Sequence, residues 1–252
     1  ALMGAYGFAG ANAMYALGAQ RHMDLYGTTQ EQMGQVAISQ RQWATMNEHA
    51  AKREPLDMEG YQASPWVVEP FHVLDCCLVS NGGVAVIVTT AERAKNQQQP
   101  PVYLRGFAQG HRHDTGFSNV DPLVHGPGEK IMEKTLAMAE ADIDDITQCQ
   151  LYDCYTYTVI ETLEDYGFCA KGEGGPFVAD GKLGPGGSLP TNTGGGSLSS
   201  YYMWGMTPVS EGIIQARGQA GERQASNDLV LVTGNGGILN YQAALLLSAE
   251  AD

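Results

Sequence analysis

Leu151-Tyr-Asp-Cys-Tyr-Thr-Tyr-Thr158 is the place where a short apolar strand is expected to run into a helix. Tyr152 stands at the end of that strand, Asp153 follows it, and Thr156 has the side chain of a helix N-cap. In open α/β sheets, ligands collect beyond the ends of such strands. The segment therefore predicts a functional tyrosine, although a strand-end tyrosine bonded to a backbone carbonyl fits the same residues equally well.

A second tyrosine-bearing segment, Gly194-Gly-Gly-Ser-Leu-Ser-Ser-Tyr-Tyr-Met-Trp-Gly205, follows later in the chain. Its glycine triplet would let the backbone approach a ligand closely, just ahead of Tyr201 and Tyr202. Taken alone, these residues favour an ordinary aromatic loop packed on the surface. No histidine follows His125, however, so proton transfer in this half of the chain needs another group. Tyrosine can serve if its site tunes its pKa.

The overall composition indicates a folded, acidic protein. Hydrophobic residues fill 43% of the 252 positions, which excludes a disordered chain and is enough for a large core. The formal net charge of −14 argues against general nucleic-acid binding and against adhesion to anionic membranes. No apolar run approaches the roughly 20 residues of a membrane-spanning helix. The N-terminal segment also lacks the basic region of a signal peptide.

The cysteines are odd in number and lack the spacing of a zinc site. They predict free thiols, a reducing cytoplasm and no bound metal. Cys154, inside the first tyrosine segment, is expected to be a small buried hydrophobic residue rather than a nucleophile. The five are Cys76, Cys77, Cys149, Cys154 and Cys169.

Two glycine-rich segments are weaker candidates for site residues. Gly234-Asn-Gly-Gly237 stands between two predicted strands, where its amides could face an oxyanion or simply form a tight hairpin. Lys171-Gly-Glu-Gly-Gly175 lacks the spacing of a phosphate loop. Its Glu173 either orients a group of the site or is solvated, as most loop glutamates are.

Hydrophobic periodicity predicts alternating strands and helices, and therefore a layered α/β fold. Thr28-Thr-Gln-Glu31 has the pattern of a capping box at a helix start. Val84-Ala-Val-Ile-Val-Thr-Thr90 is typical of a strand covered on both faces. Residues 97–101 are either a domain boundary or a loop within one sheet. Helices are expected over residues 5–22, 28–47, 91–95, 129–141, 156–166 and 208–217, strands over 84–90, 103–107, 150–153, 229–233 and 243–247, and an irregular connection over 171–193.

The ordered series of motifs resembles the C-terminal half of the thiolase superfamily, in its sterol-carrier or lipid-transfer branch. Two earlier segments are similar to the end of that family's N-terminal half, so the resemblance extends over nearly the whole chain. The motifs are Tyr26-Gly-Thr-Thr-Gln-Glu31, Leu74-Asp-Cys-Cys-Leu-Val-Ser-Asn-Gly-Gly83, Tyr152-Asp-Cys-Tyr155, Gly167-Phe-Cys169, Gly172-Glu-Gly-Gly175, Leu189-Pro-Thr-Asn-Thr-Gly-Gly-Gly196, Arg217-Gly-Gln-Ala-Gly-Glu-Arg-Gln224 and Gly234-Asn-Gly-Gly237.

The chain departs from the thiolase pattern at the positions that move protons. Tyr152 stands where a His-Asp-Cys-Phe-type motif has its histidine, and Tyr202 stands where a Gly-His-Pro motif has its histidine. The late cysteine of many thiolases falls near Gly234, and the nucleophilic cysteine would lie upstream of Ala1. These departures are similar to those of the steroid side-chain-cleaving aldolases of bacterial steroid breakdown, a group within this branch.

The resemblance implies a thiolase-like five-layer αβαβα fold, here lacking the first part of its N-terminal half. Residues 1–110 would be the latter part of the N-terminal domain, and residues 111–252 the C-terminal domain. A homodimer is implied, together with an assembly of two such subunits and two OB-fold partner chains that carry a zinc ribbon. The implied reaction is retro-aldol cleavage of a β-hydroxy steroid side-chain CoA thioester, which gives a 17-keto steroid and propionyl-CoA.

The resemblance also implies residue roles, in a reaction that needs an acid, a base and oxyanion donors but no cofactor. Tyr202 would be the base, so its site must lower its pKa or use it in a relay. Tyr152 would polarise the substrate or return the proton. The supporting residues would be Asp153 and Glu173, with the amides of Gly236 and Gly237 as oxyanion donors.

Two other functions fit the same resemblance. One is a non-catalytic subunit that binds an acyl-CoA and scaffolds a partner. The other is a thiolase or acyltransferase that keeps a nucleophilic cysteine upstream of Ala1. An acyl adduct on the protein would favour transfer over the aldolase reaction.

Overall fold

The computed structural model describes residues 2–5, 7, 10–112, 121 and 123–251. The helices are α1 (Leu2–Ala5), α2 (Ala11–Tyr26), α3 (Gln30–Thr45), α4 (Met58–Gln62), α5 (Ala91–Ala94), α6 (Gly128–Ala139), α7 (Thr156–Asp165), α8 (Gly174–Ala179) and α9 (Met206–Ala216). The strands are β1 (Trp66–Val68), β2 (Phe71–His72), β3 (Tyr103–His111), β4 (Gln148–Gln150), β5 (Val230–Gly236) and β6 (Tyr241–Ser248).

One mixed sheet organises the molecule, with its strands in the order β3-β6-β5-β4. β6 pairs antiparallel with both β3 and β5, whereas β4 and β5 are parallel. Because side chains alternate along a strand, Leu231 packs into the core that contains Ile131 of α6, and Val232 packs against Ala216 of α9. Helices therefore cover both faces of the sheet, and the predicted layered α/β fold is confirmed.

Most of the helices follow from the sequence pattern. α6 and α9 each have an apolar face toward the sheet, and α7 has one toward neighbouring helices, the pattern that periodicity detects. The helices expected over residues 91–95, 129–141, 156–166 and 208–217 are present as α5, α6, α7 and α9.

The capping box of α3 differs by one residue from the prediction. Thr29 and Gln32 form it, not Thr28 and Glu31. The hydroxyl of Thr28 instead lies 2.8 Å from Nδ1 of buried His22 and is engaged there. The predicted helix start is right, but a competing tertiary hydrogen bond selects the second threonine as its cap.

The predicted strand over residues 84–90 is wrong, because these residues have no strand structure in the described chain. The side chains of Ile87 and Val88 are 90% and 88% exposed. β-branched residues favour an extended backbone, but a strand forms only where a neighbour completes its ladder of hydrogen bonds. No described residue pairs with this run, so its apolar side chains are uncovered.

The bounds of two strands differ from prediction in a way that shapes the site. β4 ends at Gln150, because the N–H of Leu151 donates to Oδ1 of Asn192 at 2.7 Å and leaves the ladder. β5 continues through Gly234 and Asn235, residues that were predicted to link the last two strands. The side chains of this extension therefore reach the residues that follow β4.

Two other segments differ in secondary structure from the prediction, one with an interrupted helix and one with an additional helix. The helix expected over residues 5–22 is divided into α1 and α2, with the glycine-containing residues between them, and α2 continues to Tyr26. The connection over residues 171–193, expected to be irregular, contains the short helix α8. None of the described helices is both long and apolar enough to cross a membrane.

Candidate active site

Two tyrosine hydroxyls meet in the site. The Oη atoms of Tyr152 and Tyr202 are 2.7 Å apart, a hydrogen-bonding distance, and their ring centroids are 6.2 Å apart. Tyr152 is buried and Tyr202 is half-buried. The fold thus joins two predicted site residues that are 50 positions apart in the chain.

Tyr152 lies two residues beyond the end of β4 and is held by β5 and α7. Its N–H donates to Oγ1 of Thr233 at 3.1 Å. Its carbonyl oxygen accepts from Nδ2 of Asn235 at 3.4 Å and from the hydroxyl of Thr158 at 3.2 Å. Both backbone groups of Tyr152 are therefore satisfied by side chains, which leaves its phenol as the group that faces Tyr202.

Tyr202 follows a π-helical turn, Gly196–Ser200, and lies against an extended segment of the chain. The N–H of Tyr202 donates to Oγ of Ser80 at 3.0 Å. In the same extended segment, the N–H of Leu78 donates to the carbonyl of Ser197 at 2.9 Å. These bonds fix the backbone on both sides of the turn and so orient the Tyr202 ring.

Asp153 connects the two tyrosine segments. Its buried carboxylate accepts hydrogen bonds from the N–H of Ser197, at 3.0 and 2.8 Å to its two oxygens, and from the N–H of Leu198 at 3.3 Å. A Cβ added to Gly196 would lie 2.2 Å from Oδ2 of Asp153. The glycine therefore admits a protein carboxylate, a role that the sequence pattern did not suggest.

Burial raises the pKa of both phenols. The pKa of Tyr152 is raised first by burial and further by its hydrogen bond with Tyr202. Burial also raises the pKa of Tyr202, but its hydrogen bond with Tyr152 lowers it in part. Tyr202 is therefore the more acidic member of a pair that is neutral near pH 7. Of the two possibilities that the sequence left open for Tyr202, a lowered pKa or a relay, this geometry suits the relay.

The carboxyl group of Asp153 titrates far above its ordinary range. Complete burial raises its pKa to about 7, although the N–H donors of Ser197 and Leu198 oppose that shift. No cation of the described chain forms an ion pair with Asp153. Burial of a carboxylate without such a partner is costly, so its proton is retained more tightly than in water.

Two residues near Tyr152 were missed by the sequence analysis. The phenol of Tyr15, in α2, donates to Oδ1 of Asn235 at 3.1 Å, and Nδ2 of Asn235 in turn contacts the carbonyl of Tyr152. The Tyr15 ring also packs on Tyr155, with centroids 4.7 Å apart. Tyr15 and Asn235 are 220 positions apart, and a tyrosine within a helix of small residues gives no local signal of this contact.

Two thiols lie beside the tyrosine segments. Cys154 is buried, as predicted, and burial raises the pKa of its thiol. Cys77 is half-buried, and its burial, followed by the charge of Asp153, raises its pKa to about 11. Neither thiol is ionised near pH 7, so neither is a ready nucleophile.

None of the remaining predicted site residues is hydrogen-bonded to the tyrosine hydroxyls in the described chain. Gly236 pairs with Tyr241 in the β5–β6 ladder, and Gly237 begins the turn that follows. Glu173 is exposed immediately before α8, and no hydrogen bond in the described chain joins its side chain to either tyrosine. The structure therefore brings together Tyr152, Asp153 and Tyr202, but not Glu173.

The described residues hold no group of three or more His, Cys, Asp or Glu side chains that could bind a metal ion. All five cysteines are free thiols. The groups that meet at this site are the two tyrosine hydroxyls, which can transfer a proton between them.

The sequence is similar to one protein family and to several characterised proteins. Residues 108–249 match the family described as Thiolase C-terminal domain-like. The chain is 38% identical to a steroid side-chain-cleaving aldolase of Thermomonospora curvata over 93% of its length, and 37% identical to a 17-hydroxy-3-oxo-4-pregnene-20-carboxyl-CoA lyase of Mycobacterium tuberculosis over 90%. It spans only 61% and 60% of the lengths of these two relatives.

Two solved structures resemble this chain in their fold. A structure titled Ltp2-ChsH2(DUF35) aldolase superposes with a TM-score of 0.88 at 36% identity, covering 95% of this chain and 63% of that chain. A monomeric SCP2-thiolase-like protein of Mycobacterium smegmatis superposes with a TM-score of 0.71 at 18% identity, covering 98% of this chain and 53% of that chain. The second likeness shows the fold alone, and that fold is thiolase-like.

Proposed function

We propose, because the chain belongs to the thiolase C-terminal domain-like family, that it carries the tyrosine pair of a carbon–carbon lyase. The substrate would be a β-hydroxy steroid side-chain CoA thioester, cleaved to a 17-keto steroid and propionyl-CoA. Two relatives, at 38% and 37% identity, are named for an aldolase and a lyase of this kind. The observation that carries the proposal is the 2.7 Å contact between the hydroxyls of Tyr152 and Tyr202.

Retro-aldol cleavage moves one proton from the β-hydroxyl to the α-carbon. The hydroxyl proton leaves, the bond between the α- and β-carbons breaks, the β-carbon becomes the ketone, and the electron pair forms the thioester enolate. A proton then adds to the α-carbon and completes the propionyl thioester. Since one proton is removed and one is returned, the site needs a proton carrier rather than a permanent base.

The tyrosine pair can carry this proton without leaving a charged phenolate behind. Tyr202, the more acidic member, would accept the substrate proton as it gives its own proton to Tyr152. Tyr152 would give its own proton to the α-carbon. Because the two hydroxyls are already in contact, the transfer between them needs no side-chain movement.

The enolate oxygen also needs hydrogen-bond donors. We assign them to the amides of Gly236 and Gly237, since Gly236 ends, and Gly237 directly follows, the strand whose Thr233 and Asn235 contact Tyr152. Asp153 would act indirectly, by holding the turn that precedes Tyr202. Removal of an oxyanion donor typically slows such reactions by about 10²- to 10³-fold.

The proposed assembly includes a second kind of chain. One solved neighbour is titled as a complex with a DUF35 component. We propose that the natural protein forms a homodimer and binds an OB-fold partner that carries a zinc ribbon, with two copies of each chain. Co-purification of the two chains at equal stoichiometry is the expected result.

The test is product analysis with the natural full-length protein and its partner. A 17-hydroxy steroid side-chain CoA thioester should give equal amounts of the 17-ketone and propionyl-CoA, with no mass added to the protein. A covalent acyl adduct would instead support a thiolase or acyltransferase. Binding without cleavage would support a non-catalytic subunit.

A further inference from the structure

Trp204 is held in an unusual backbone conformation near the tyrosine pair. Its φ is +53°, a left-handed conformation that bulky residues rarely adopt. Its side chain is nevertheless 73% exposed. Strained residues of this kind persist where the surrounding structure fixes them, and they concentrate at ligand-binding sites.

The surrounding turn fixes this conformation through its neighbours. The hydroxyl of Thr207 accepts from the N–H of Met203 at 2.8 Å and donates to the carbonyl of Tyr201 at 3.2 Å. The N–H of Thr207 donates to the carbonyl of Trp204 at 3.2 Å. The Met203 side chain lies against Gly82, where an added Cβ would be 2.8 Å from its Cε. The backbone of Trp204 is thus restrained by contacts of Met203 and Thr207, while its indole is exposed to solvent.

The other two tryptophans have partners, and this contrast identifies Trp204 as exceptional. The indole N–H of Trp43 donates to the carbonyl of Leu183 at 2.8 Å. The ring of Trp66 stacks on His72 with a centroid distance of 3.7 Å. In the described part of the chain, the Trp204 indole has neither a hydrogen bond nor a ring contact. An exposed indole that is carried on a restrained backbone and has no partner of its own is suited to bind an apolar ligand.

We propose that Trp204 is a specificity-determining residue, whose indole packs against the fused apolar rings of the acyl-CoA substrate. The inference rests on the proposed function and deepens it. Trp204 is two residues after Tyr202, so their Cα atoms are at most about 7 Å apart. The reacting carbons would lie at the tyrosine hydroxyls, and the attached ring system would extend past this distance toward the indole. A tryptophan can bury roughly 150–250 Å² against such a surface.

A ligand explains the position of Trp204 better than a docked protein does. The residue lies on the same short turn as Tyr202, and its carbonyl accepts a hydrogen bond from Thr207 in the helix that follows this turn. A protein contact would not require the indole to belong to a residue two positions from Tyr202. Packing against a protein is therefore treated as a competing outcome of the experiment.

The experiment uses Trp204→Gly and Trp204→Phe in the natural full-length protein with its partner. Glycine removes the indole and suits the left-handed backbone, so the turn should fold at least as well as in the parent. Phenylalanine keeps an aromatic face. Trp66→Phe is the matched control, since Trp66 is a half-exposed tryptophan that has its own ring partner. The readouts are binding of a 17-keto steroid by calorimetry and kcat/KM for steroid and acyclic β-hydroxy acyl-CoA substrates.

Trp204→Gly should weaken steroid binding and lower kcat/KM for the steroid substrate by roughly 10- to 100-fold, the scale of a lost apolar pocket contact. For the acyclic substrate, kcat/KM should change by less than about threefold. Trp204→Phe should keep most of the parent's steroid binding and most of its kcat/KM for the steroid substrate. Unchanged steroid binding, an equal loss on both substrates, or release of the partner chain would each overturn the inference. Absence of cleavage by the parent protein would instead refute the proposed function, because steroid binding is measured without turnover.

Discussion

Asp153 Oδ2 lies 2.8 Å from the backbone nitrogen of Ser197. Asp153 is bonded covalently to Tyr152, and Ser197 belongs to the turn that leads to Tyr202. One carboxyl group therefore fixes the spacing of two phenols that come from distant parts of the chain. This relationship makes Asp153 a positioning residue, and it can be tested apart from the phenols themselves.

Replacement of Asp153 by Asn should impair both stability and turnover. Oδ2 accepts from the N–H groups of both Ser197 and Leu198, so the asparagine oxygen can take that position, but its NH₂ group would then lie at the Oδ1 position, 3.0 Å from the Ser197 nitrogen, as a buried donor facing a donor. The expected cost is about 1–3 kcal/mol in the free energy of unfolding. The rate should fall as well, because the Tyr152–Tyr202 contact would loosen. Urea unfolding and steady-state kinetics measure the two effects.

Asp57→Asn is the control for Asp153→Asn. Asp57 also accepts from a backbone N–H, that of Gly60 at 2.8 Å, but it caps the exposed start of α4. It should lose at most about 1 kcal/mol, with normal kinetics. Similar kinetic losses in the two variants would show that Asp153 has no special relation to the tyrosine pair.

The phenols themselves should account for most of the rate. Tyr202→Phe and Tyr152→Phe each remove one hydroxyl of the relay, and each should lower kcat by about 10²- to 10⁴-fold while the fold is kept. Tyr201→Phe is the matched control, since its hydroxyl contacts Ser210 at 2.8 Å. The rate of product formation by each of the three variants measures how much each hydroxyl contributes to turnover. Near-normal turnover by Tyr202→Phe would remove that residue from the mechanism.

Local patterns were sufficient for much of the fold but not for its pairings. Helices such as α6 and α7 were predicted because their apolar spacing and end residues are encoded within a few turns of chain. The run over residues 84–90 has the same β-branched composition as a buried strand, yet its structure depends on a neighbour that local sequence does not specify. The strands β5 and β6, which pair with each other in the described chain, were predicted, although both are longer than expected.

The site shows the same limit. Proximity of Tyr152 and Tyr202 was expected from a resemblance to a family, since no periodicity links residues 50 positions apart. Tyr15 was missed because its contact with Asn235 is purely tertiary. The direction of the Tyr202 pKa shift was also outside sequence reasoning, because it depends on burial and on which phenol donates.

Asp153 should make stability depend on pH. Burial raises its pKa to about 7 in the folded state, compared with about 3.9 in an unfolded chain. The folded state therefore binds this proton more tightly, so unfolding releases it between about pH 4 and about pH 7. Across that window the contribution of Asp153 to the free energy of unfolding is favourable at low pH and falls as pH rises, by up to about 4 kcal/mol.

The measurement is the difference in unfolding free energy between the parent and Asp153→Asn, followed by urea titration across that pH range. Asparagine does not ionise, so its variant should lack this contribution, and the two curves should converge or cross as pH rises. Parallel curves would mean that Asp153 is ionised throughout, with an ordinary pKa.

Gly196 should tolerate no side chain, because a Cβ there would clash with the carboxylate of Asp153. This clash can be tested separately from the left-handed backbone conformation of Gly196. Its φ is +58°, and an added Cβ would be 2.2 Å from Oδ2 of Asp153. Gly181 has a similar φ of +71° but open space around its Cβ position. Gly181→Ala should therefore cost only the left-handed backbone penalty, about 1–2 kcal/mol. Gly196→Ala should cost about 3–5 kcal/mol and lower turnover, since it must displace the carboxylate.

A double-mutant cycle locates the clash. If Asp153 is the group displaced, Gly196→Ala should cost less in an Asp153→Ala background than in the parent, and the coupling should be about 1–3 kcal/mol. Gly181→Ala should show no coupling to Asp153→Ala, because its Cβ position is open. Additive costs for Gly196→Ala and Asp153→Ala would mean that the carboxylate is not the group displaced and does not set the position of the turn carrying Tyr202; the cost would then come from the backbone or from Oε1 of Gln40, which lies 2.6 Å from the same Cβ position.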